Sequence, residues 1–392
     1  MTDVALLVDS VLSVQNVKYC KLGDVATIVR GKGLQKKDFT ESGVGCIHYG
    51  QIYTSFGPYA DKTLTSVNPD DVPKFTTVSK GDIIMAVTGE NAEDICKSVA
   101  WLGNEDIVTG GHSAVIKHTL DPKYLSYYFQ SNAFFQQKKA LAHGTKVIEV
   151  TPSDLEDVLI PVPSMEIQRA IVEVLDSFFM TMSNCKSEAS LRFVQFNQYA
   201  PLIISGEFES NQEPSGVCEL GDMLEYEQPQ KYMVKSSDYR TDGNIPVLTA
   251  GQSFVLGYTD ETTGICHASP SEPVMIFDDF TTSVQWVDFD FKVKSSAMKI
   301  LRPKDGNPET LRYAYYVLKL SEYTPVEHTR QWISVVSQFD ADSWPVDAQH
   351  SIVCKLDSLF KATEILEQEY LARSLQFEYY RDLILSFGGI ES

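Results

Sequence analysis

Basic residues are scarce in this sequence: 33 Lys and Arg stand against 53 Asp and Glu, a formal net charge of −20 over 392 residues. That is the wrong sign for a protein that holds nucleic acid by overall phosphate attraction, so any such contact has to be local. Cysteine is sparse as well. The seven thiols, Cys20, Cys46, Cys96, Cys185, Cys218, Cys266 and Cys354, are odd in number and scattered, with no two at metal-ligand spacing. This argues against disulfides and against structural zinc. No apolar run reaches the roughly 18 residues needed to span a membrane. With Met-Thr-Asp at the start and no basic, apolar leader, a cytoplasmic protein is expected.

Catalytic motifs are missing too. There is no Gly-x-Ser-x-Gly, His-Glu-x-x-His or paired-Cys motif, and His48, His112, His118, His143, His267, His328 and His350 lack ligand spacing. Gly45-Cys46-Ile47-His48-Tyr49-Gly50 has phosphate-loop glycine spacing, but Gln51-Ile52 stand where Lys and Ser or Thr must bind phosphate and Mg²⁺. Asn68-Pro69-Asp70-Asp71 lacks the second proline and the aromatic that an amino-methyltransferase uses to grip a base. Gly31-x-Gly33 alone reads as a turn. A chain that is not itself an enzyme and binds no metal or cofactor is the expectation.

What the sequence does have is a repeat. Ile171, Leu175, Phe178, Met182, Cys185, Ala189, Arg192, Phe196, Tyr199 and Ile203 alternate steps of four and three, a heptad seam. Adding 181 to each gives Ile352, Leu356, Leu359, Thr363, Leu366, Tyr370, Arg373, Phe377, Tyr380 and Ile384, the same seam in the same phase. A helix of about 40 residues is roughly 60 Å long. Its seam needs a partner, because each buried Leu or Phe contributes about 1.5 to 3 kcal/mol. Two antiparallel helices forming a coiled-coil spacer, related by an internal pseudo-two-fold axis, satisfy that need; two core helices of one large domain are the plainer alternative. Pro201, with no proline opposite at Asp382, predicts that the first helix kinks or ends earlier than the second.

The predicted organisation is α+β: a short N-terminal helix (1–16), a mixed α/β domain (17–163), a long helix (164–206), a linker (207–216), a second α/β domain (217–345) and a second long helix with its tail (346–392). In the first domain, strands are predicted at Val25–Val29, Gly45–Ile52, Gly81–Val87 and Ser113–His118, with a helix opened by Asp121-Pro122 that runs through Phe134. The second repeats the order, with strands at Ile245–Leu248, Pro273–Phe277, Ser283–Val287 and Ala297–Leu301 and a helix from Pro308. Trp344-Pro345-Val346 is matched with Ile160-Pro161-Val162, leaving the following link three residues shorter.

What remains is binding chemistry. Arg30, Lys32, Gln35, Lys36, Lys37, His48, Tyr49, Gln51 and Tyr53 mix cationic, amide and aromatic groups of the kind that contact phosphates and base edges. Gln252, Ser253, Asp278, Asp279, Thr281, Thr282, Ser283, Lys294, Ser295 and Ser296 do so with more hydroxyls. Lys18, Lys21, Arg30, Lys32, Lys36 and Lys37 face only Asp24, and Lys292, Lys294, Lys299, Arg302 and Lys304 are interrupted by no acid, so local cationic surfaces are expected. Ordinary solvated loops are the alternative reading.

Tyr19–Val25 (YCKLGDV), Gly81–Gly89 (GDIIMAVTG), Ile160–Phe178 (IPVPSMEIQRAIVEVLDSF), Phe277–Leu301 (FDDFTTSVQWVDFDFKVKSSAMKIL) and Gln376–Phe387 (QFEYYRDLILSF) together resemble the specificity subunit of Type I restriction-modification systems. Each motif is weak by itself, but their order and duplication cover nearly the whole chain. The resemblance implies two target recognition domains, each reading one half of an asymmetric, bipartite site in double-stranded DNA. It implies two modification subunits docked on the helices, supplying S-adenosylmethionine, and restriction subunits supplying ATP and Mg²⁺ chemistry. The charge departs from this picture, and the lone chain is expected to bind DNA poorly. An acidic DNA-mimic decoy and the recognition fragment of a fused restriction enzyme are the other classes in view.

Overall fold

A computed structural model of the chain describes residue 11 and residues 17–144, 147–208, 213–251, 253–326 and 329–387. Apart from Val11, the predicted N-terminal helix lies outside these, as do Gln252 and residues 209–212 of the predicted linker. Two units divide the chain: 1–185 with 369–392, and 186–368. The division falls inside both long helices.

In the first unit, β1 (Ala26–Arg30), β2 (Val44–Ile47), β3 (Ile83–Ala86), β4 (Ser98–Trp101), β5 (Ile107–Thr109) and β6 (Ser113–His118) form the frame. One sheet runs β1-β6-β3-β4, antiparallel throughout and extended by Tyr59–Ala60; in a second sheet β2 lies parallel to β5. Both faces of β3 are covered, and Ile83, Ile84, Met85 and Ala86 are all fully buried. This is why the stretch reads as an unbroken apolar run rather than an alternating one. The predicted Gly45–Ile52 strand is only half strand. After Ile47 the chain turns into a helix, Tyr49–Thr54, whose N-terminus is capped by the His48 side chain. The helix capped by Asp121 stops at Tyr128, and Ser131 caps a separate helix, Asn132–Leu141, where one continuous helix was predicted.

The second unit repeats the frame as β7 (Leu224–Glu227), β8 (Ile245–Leu248), β9 (Val274–Asp278), β10 (Val284–Val287), β11 (Lys292–Val293) and β12 (Met298–Pro303). The sheet β7-β12-β9-β10 and the parallel pair β8 and β11 copy the first unit strand for strand. The copy extends to single backbone bonds. Val87 N donates to His112 O and Asp279 N to Ala297 O, while Val150 N donates to Val87 O and Gln331 N to Asp279 O.

The long helices are Met165–Ile204 and Val346–Leu385, both 40 residues and offset by 181 at either end. Pro201 therefore does not shorten the first; lying in the last turn, it removes one backbone donor and breaks nothing beyond it. The predicted match of Trp344-Pro345-Val346 with Ile160-Pro161-Val162 is also corrected. Pairing with Tyr19–Lys21 and Val217–Glu219 aligns Ile160-Pro161 with Ala341-Asp342, so the same offset holds and no link is shortened. Strand register rather than proline position carries the equivalence.

In the first unit the early half of one long helix lies against the late half of the other: Phe178 stacks on Tyr380 at 4.7 Å and Phe179 packs against Phe377. In the second unit the remaining halves meet at Phe196 and Phe360. Ile171, Leu175, Ala189, Phe196, Ile203, Ile352, Leu356, Thr363, Phe377 and Ile384 are buried. Met182, Tyr199, Leu359, Leu366 and Tyr380 are half-buried, and Arg192 is exposed, so the seam is not uniformly apolar. Arg192 and Arg373 turn back to their own helices and donate to Gln195 and Gln376, each at 3.0 Å.

Each domain is fastened to its helix by the same device. Asp176 accepts from Lys123 at 2.6 Å and from the Tyr127 hydroxyl at 2.7 Å; Asp357 accepts from Arg312 Nε at 2.7 Å and from the Tyr316 hydroxyl. Buried Gln168 and Gln349 hold the starts of the two helices, donating to the carbonyls of Pro163 and Trp344.

Candidate nucleic-acid interface

At one edge of each sheet the chain leaves the strands in loops, and the predicted site residues lie there. In the first unit these loops follow β1, β2 and β3 and precede β6. Lys32, Gln35, Lys36 and Lys37 are exposed on the loop after β1. Arg30, at the strand end, is ion-paired with Glu149. His48, Gln51 and Tyr53 do structural work. His48 Nδ1 accepts from Gly50 N at 3.1 Å, Gln51 Oε1 accepts from His48 N at 2.9 Å, and the Tyr53 hydroxyl donates to Thr88 O at 2.9 Å. Burial, reinforced by Lys36 and His112, lowers the His48 pKa, so its ring stays neutral and keeps accepting at neutral pH. Rings continue outward from it: His48 to Tyr49 at 4.4 Å and Tyr49 to His112 at 4.8 Å. Tyr49, Tyr53, Thr88, Asn91, Lys97 and His112 line a cleft of about 480 Å³.

Sequence reasoning did not name Lys97, Thr88 or His112 as site residues. His112 entered the sequence reading as one of the histidines without ligand spacing, and the strand order is what places it beside Tyr49.

In the second unit, Lys294 N donates to Leu248 O at 3.2 Å and Asp279 N to Ala297 O at 2.9 Å, which draws the loops after β8, β9 and β11 together. Ser253, Thr281 and Lys294 are exposed, and Thr282 and Ser295 half-exposed. Asp279 is corrected: it is 1% exposed, ion-paired with the equally buried Lys299 at 2.9 Å, and accepts from Trp332 N. It holds the loop's root and presents nothing outward. The predicted basic run is corrected with it. Lys292 is buried against Glu261 and the carbonyls of Thr263 and Gly264, and Lys304 donates to Gly221 O. Lys292 and Lys299 lie within strands buried on both faces, whereas Lys294 lies past the end of β11 and is the cation of this run exposed at the edge.

Among the described residues no group of three or more His, Cys, Asp or Glu is placed to hold a metal ion, and no helix is long and apolar enough to cross a membrane.

A duplicated α/β frame that brings polar, aromatic and cationic loops to one edge of each copy, with a long helix after each, defines a class of paired, non-identical domains. Comparison with known proteins shows what the chain is similar to. Residues 15–190 match the Type I restriction modification DNA specificity domain. The chain is 49% identical over 177 residues to the EcoR124I/EcoR124II specificity subunit of Escherichia coli, covering 43% of this chain and 44% of that protein. It is 26% identical over 167 residues to the MjaVIII specificity subunit of Methanocaldococcus jannaschii, covering 40% and 38%. These matches thus span well under half of either relative. The fold matches over nearly the full length: the S subunit of a Type I system from M. genitalium superposes with a TM-score of 0.64 at 16% identity, covering 95% of this chain and 97% of that one. A second structure, described as the basis of complex assembly and conformational transition of the type I R-M system, gives 0.50 at 15% identity, covering 97% and 100%. Residues 15–190 are thus similar to the Type I restriction modification DNA specificity domain, and the whole chain shares the fold of the S subunit. None of these matches supports the acidic-decoy reading.

Proposed function

We propose that this chain supplies the DNA address of a Type I restriction-modification complex, and that each domain reads one half of a bipartite, asymmetric double-stranded site. The observation that carries this is the shared loop edge: one backbone frame in two copies presents different side chains from corresponding loops, so the copies read different sequences. Hydroxyl, amide and ring groups at these edges suit base edges in the major groove, and Lys32, Lys36, Lys37 and Lys294 suit phosphates.

The chain is the non-catalytic, cytoplasmic member of the complex. The long helices set the distance between half-sites and dock two modification subunits, which bring S-adenosylmethionine for adenine methylation; restriction subunits add ATP- and Mg²⁺-dependent chemistry. The overall negative charge makes the lone chain a weak DNA binder, because sequence-independent affinity comes from phosphate neutralisation.

The test is methylation-sensitive sequencing of DNA from cells that express the chain with its modification subunit. The expected result is a split motif with one methylated adenine on each strand. A soluble, co-purifying complex that leaves no methylated motif overturns the proposal.

A further inference from the structure

Two described non-glycine residues within the domains adopt left-handed backbone conformations, Cys96 at φ 65° and Thr282 at φ 60°. They are structural equivalents. Cys96 N donates to Ala86 O at 2.9 Å and Thr282 N to Asp278 O at 3.0 Å; in the adjoining bonds Ala86 N donates to Lys97 O and Asp278 N to Ser283 O. Each therefore closes the connection between the same two strands, β3 to β4 and β9 to β10. A left-handed conformation is costly for a side chain bearing Cβ, and more so for a β-branched threonine. It has nevertheless persisted in both copies with unrelated side chains. Between the closing bonds, however, the copies differ in length: 87–95 in one and 279–281 in the other.

From this we infer that the connection closed by the left-handed residue is the base-reading loop of each domain, and that its length and side chains set which bases each half-site carries. The inference deepens the function proposed above and rests on it.

In the second unit the loop is a rigid tip. Its root is held by the buried Asp279–Lys299 pair, by Trp332 N on Asp279 Oδ1 and by Asp278 Oδ1, which accepts from Phe280 N and Thr281 N at 2.9 Å each. Thr281 and Ser283 exchange a hydrogen bond at 2.8 Å at the tip. Such hydroxyls donate to or accept from base edges, and a threonine methyl packs against the thymine methyl. In the first unit the longer loop carries exposed Glu90 and walls the cleft that holds Tyr49 and His112. A carboxylate at such a tip accepts from the cytosine amino group.

The experiment selects binding sites from random duplex DNA with the purified complex of the chain and its modification subunit. Variants are Thr281→Ala, Thr281→Val, Ser283→Ala and Glu90→Gln, with thermal melts run in parallel. All three positions are at least partly exposed, and Thr281→Val keeps the side-chain shape. The expected result is a loss of base preference, roughly tenfold per lost contact, at one or two positions of one half-site for the Thr281 and Ser283 variants. That half is the one that also changes when the second domain is exchanged, and Glu90→Gln relaxes the other half. If the wild-type complex selects a split motif and the variants select the same one, this inference falls and the function stands. If the wild-type complex selects no motif, the function falls and takes the inference with it.

Discussion

The two domains share a frame and part company at its centre. Position for position, Val87 in the first corresponds to Asp279 in the second, and Ala114 to Lys299. The first pair is apolar and fully buried, and the second is an ion pair buried to the same degree. One backbone thus tolerates either solution, because the same strand hydrogen bonds are made in both and only the side-chain chemistry between them changes. The difference reaches the loops as well as the interior. The ion pair lets the second domain anchor a short, stiff tip, while the first uses apolar packing beneath a longer loop and a ring-lined cleft. The loops differ in charge accordingly, with Lys32, Lys36 and Lys37 exposed on one and Lys294 on the other.

Exchange of one whole domain for that of a related chain tests this division most severely. One half of the DNA motif should change completely and the other not at all, read by methylation sequencing. The interior follows. Asp279→Ala leaves Lys299 buried without its counter-charge and should cost about 3 to 5 kcal/mol, whereas Val87→Ala, its counterpart, should cost about 1 to 2 kcal/mol. Thermal melts of the two variants that coincide would break the comparison.

Acid should separate the units too. His118 is half-buried and its imidazole is pushed down to about 4, chiefly by desolvation, while its Nδ1 accepts from Leu120 N. The folded state therefore holds fewer protons than the unfolded one between pH 6.5 and about 4. Stability is complete above that window and falls through it, by on the order of 3 kcal/mol at its foot. Pro303 occupies the equivalent strand position, so the second unit lacks this liability. His118→Asn keeps an acceptor there and should flatten the loss in pH-dependent melts.

The fastening carboxylates give a smaller contrast. Asp176→Asn should destabilise by about 2 kcal/mol, and Asp357→Asn by less, since Asp357 is 42% exposed against 24% for Asp176. Smallest are Lys36→Ala and Lys294→Ala. Each should weaken binding evenly across sequences and reduce the slope of log affinity against log salt by about 0.9.

Much of this was legible from residues alone. The doubled helices could be read because a heptad seam is a local pattern, and a constant offset of 181 brings Asp176, Gln168 and Arg192 onto Asp357, Gln349 and Arg373. The loops at the sheet edges could be read because Gly, Lys and hydroxyl residues cluster between apolar strands. What a linear pattern does not carry is which of those polar groups face outward. Asp279 and Lys299 look like surface residues in sequence, and each is buried only because the other is, 20 positions away. His48 and Gln51 look free and are spent on capping a helix that the apolar pattern had assigned to a strand. His112 becomes a neighbour of Tyr49 only through the strand order.

The sequence by itself determined the duplication, the helix lengths and the class of surface, since these follow from periodicity and composition. Tertiary structure decided which charges are exposed, which loops meet and where the backbone is held left-handed. Those depend on partners distant in the chain, and desolvation acts on a group only once its neighbours are in place.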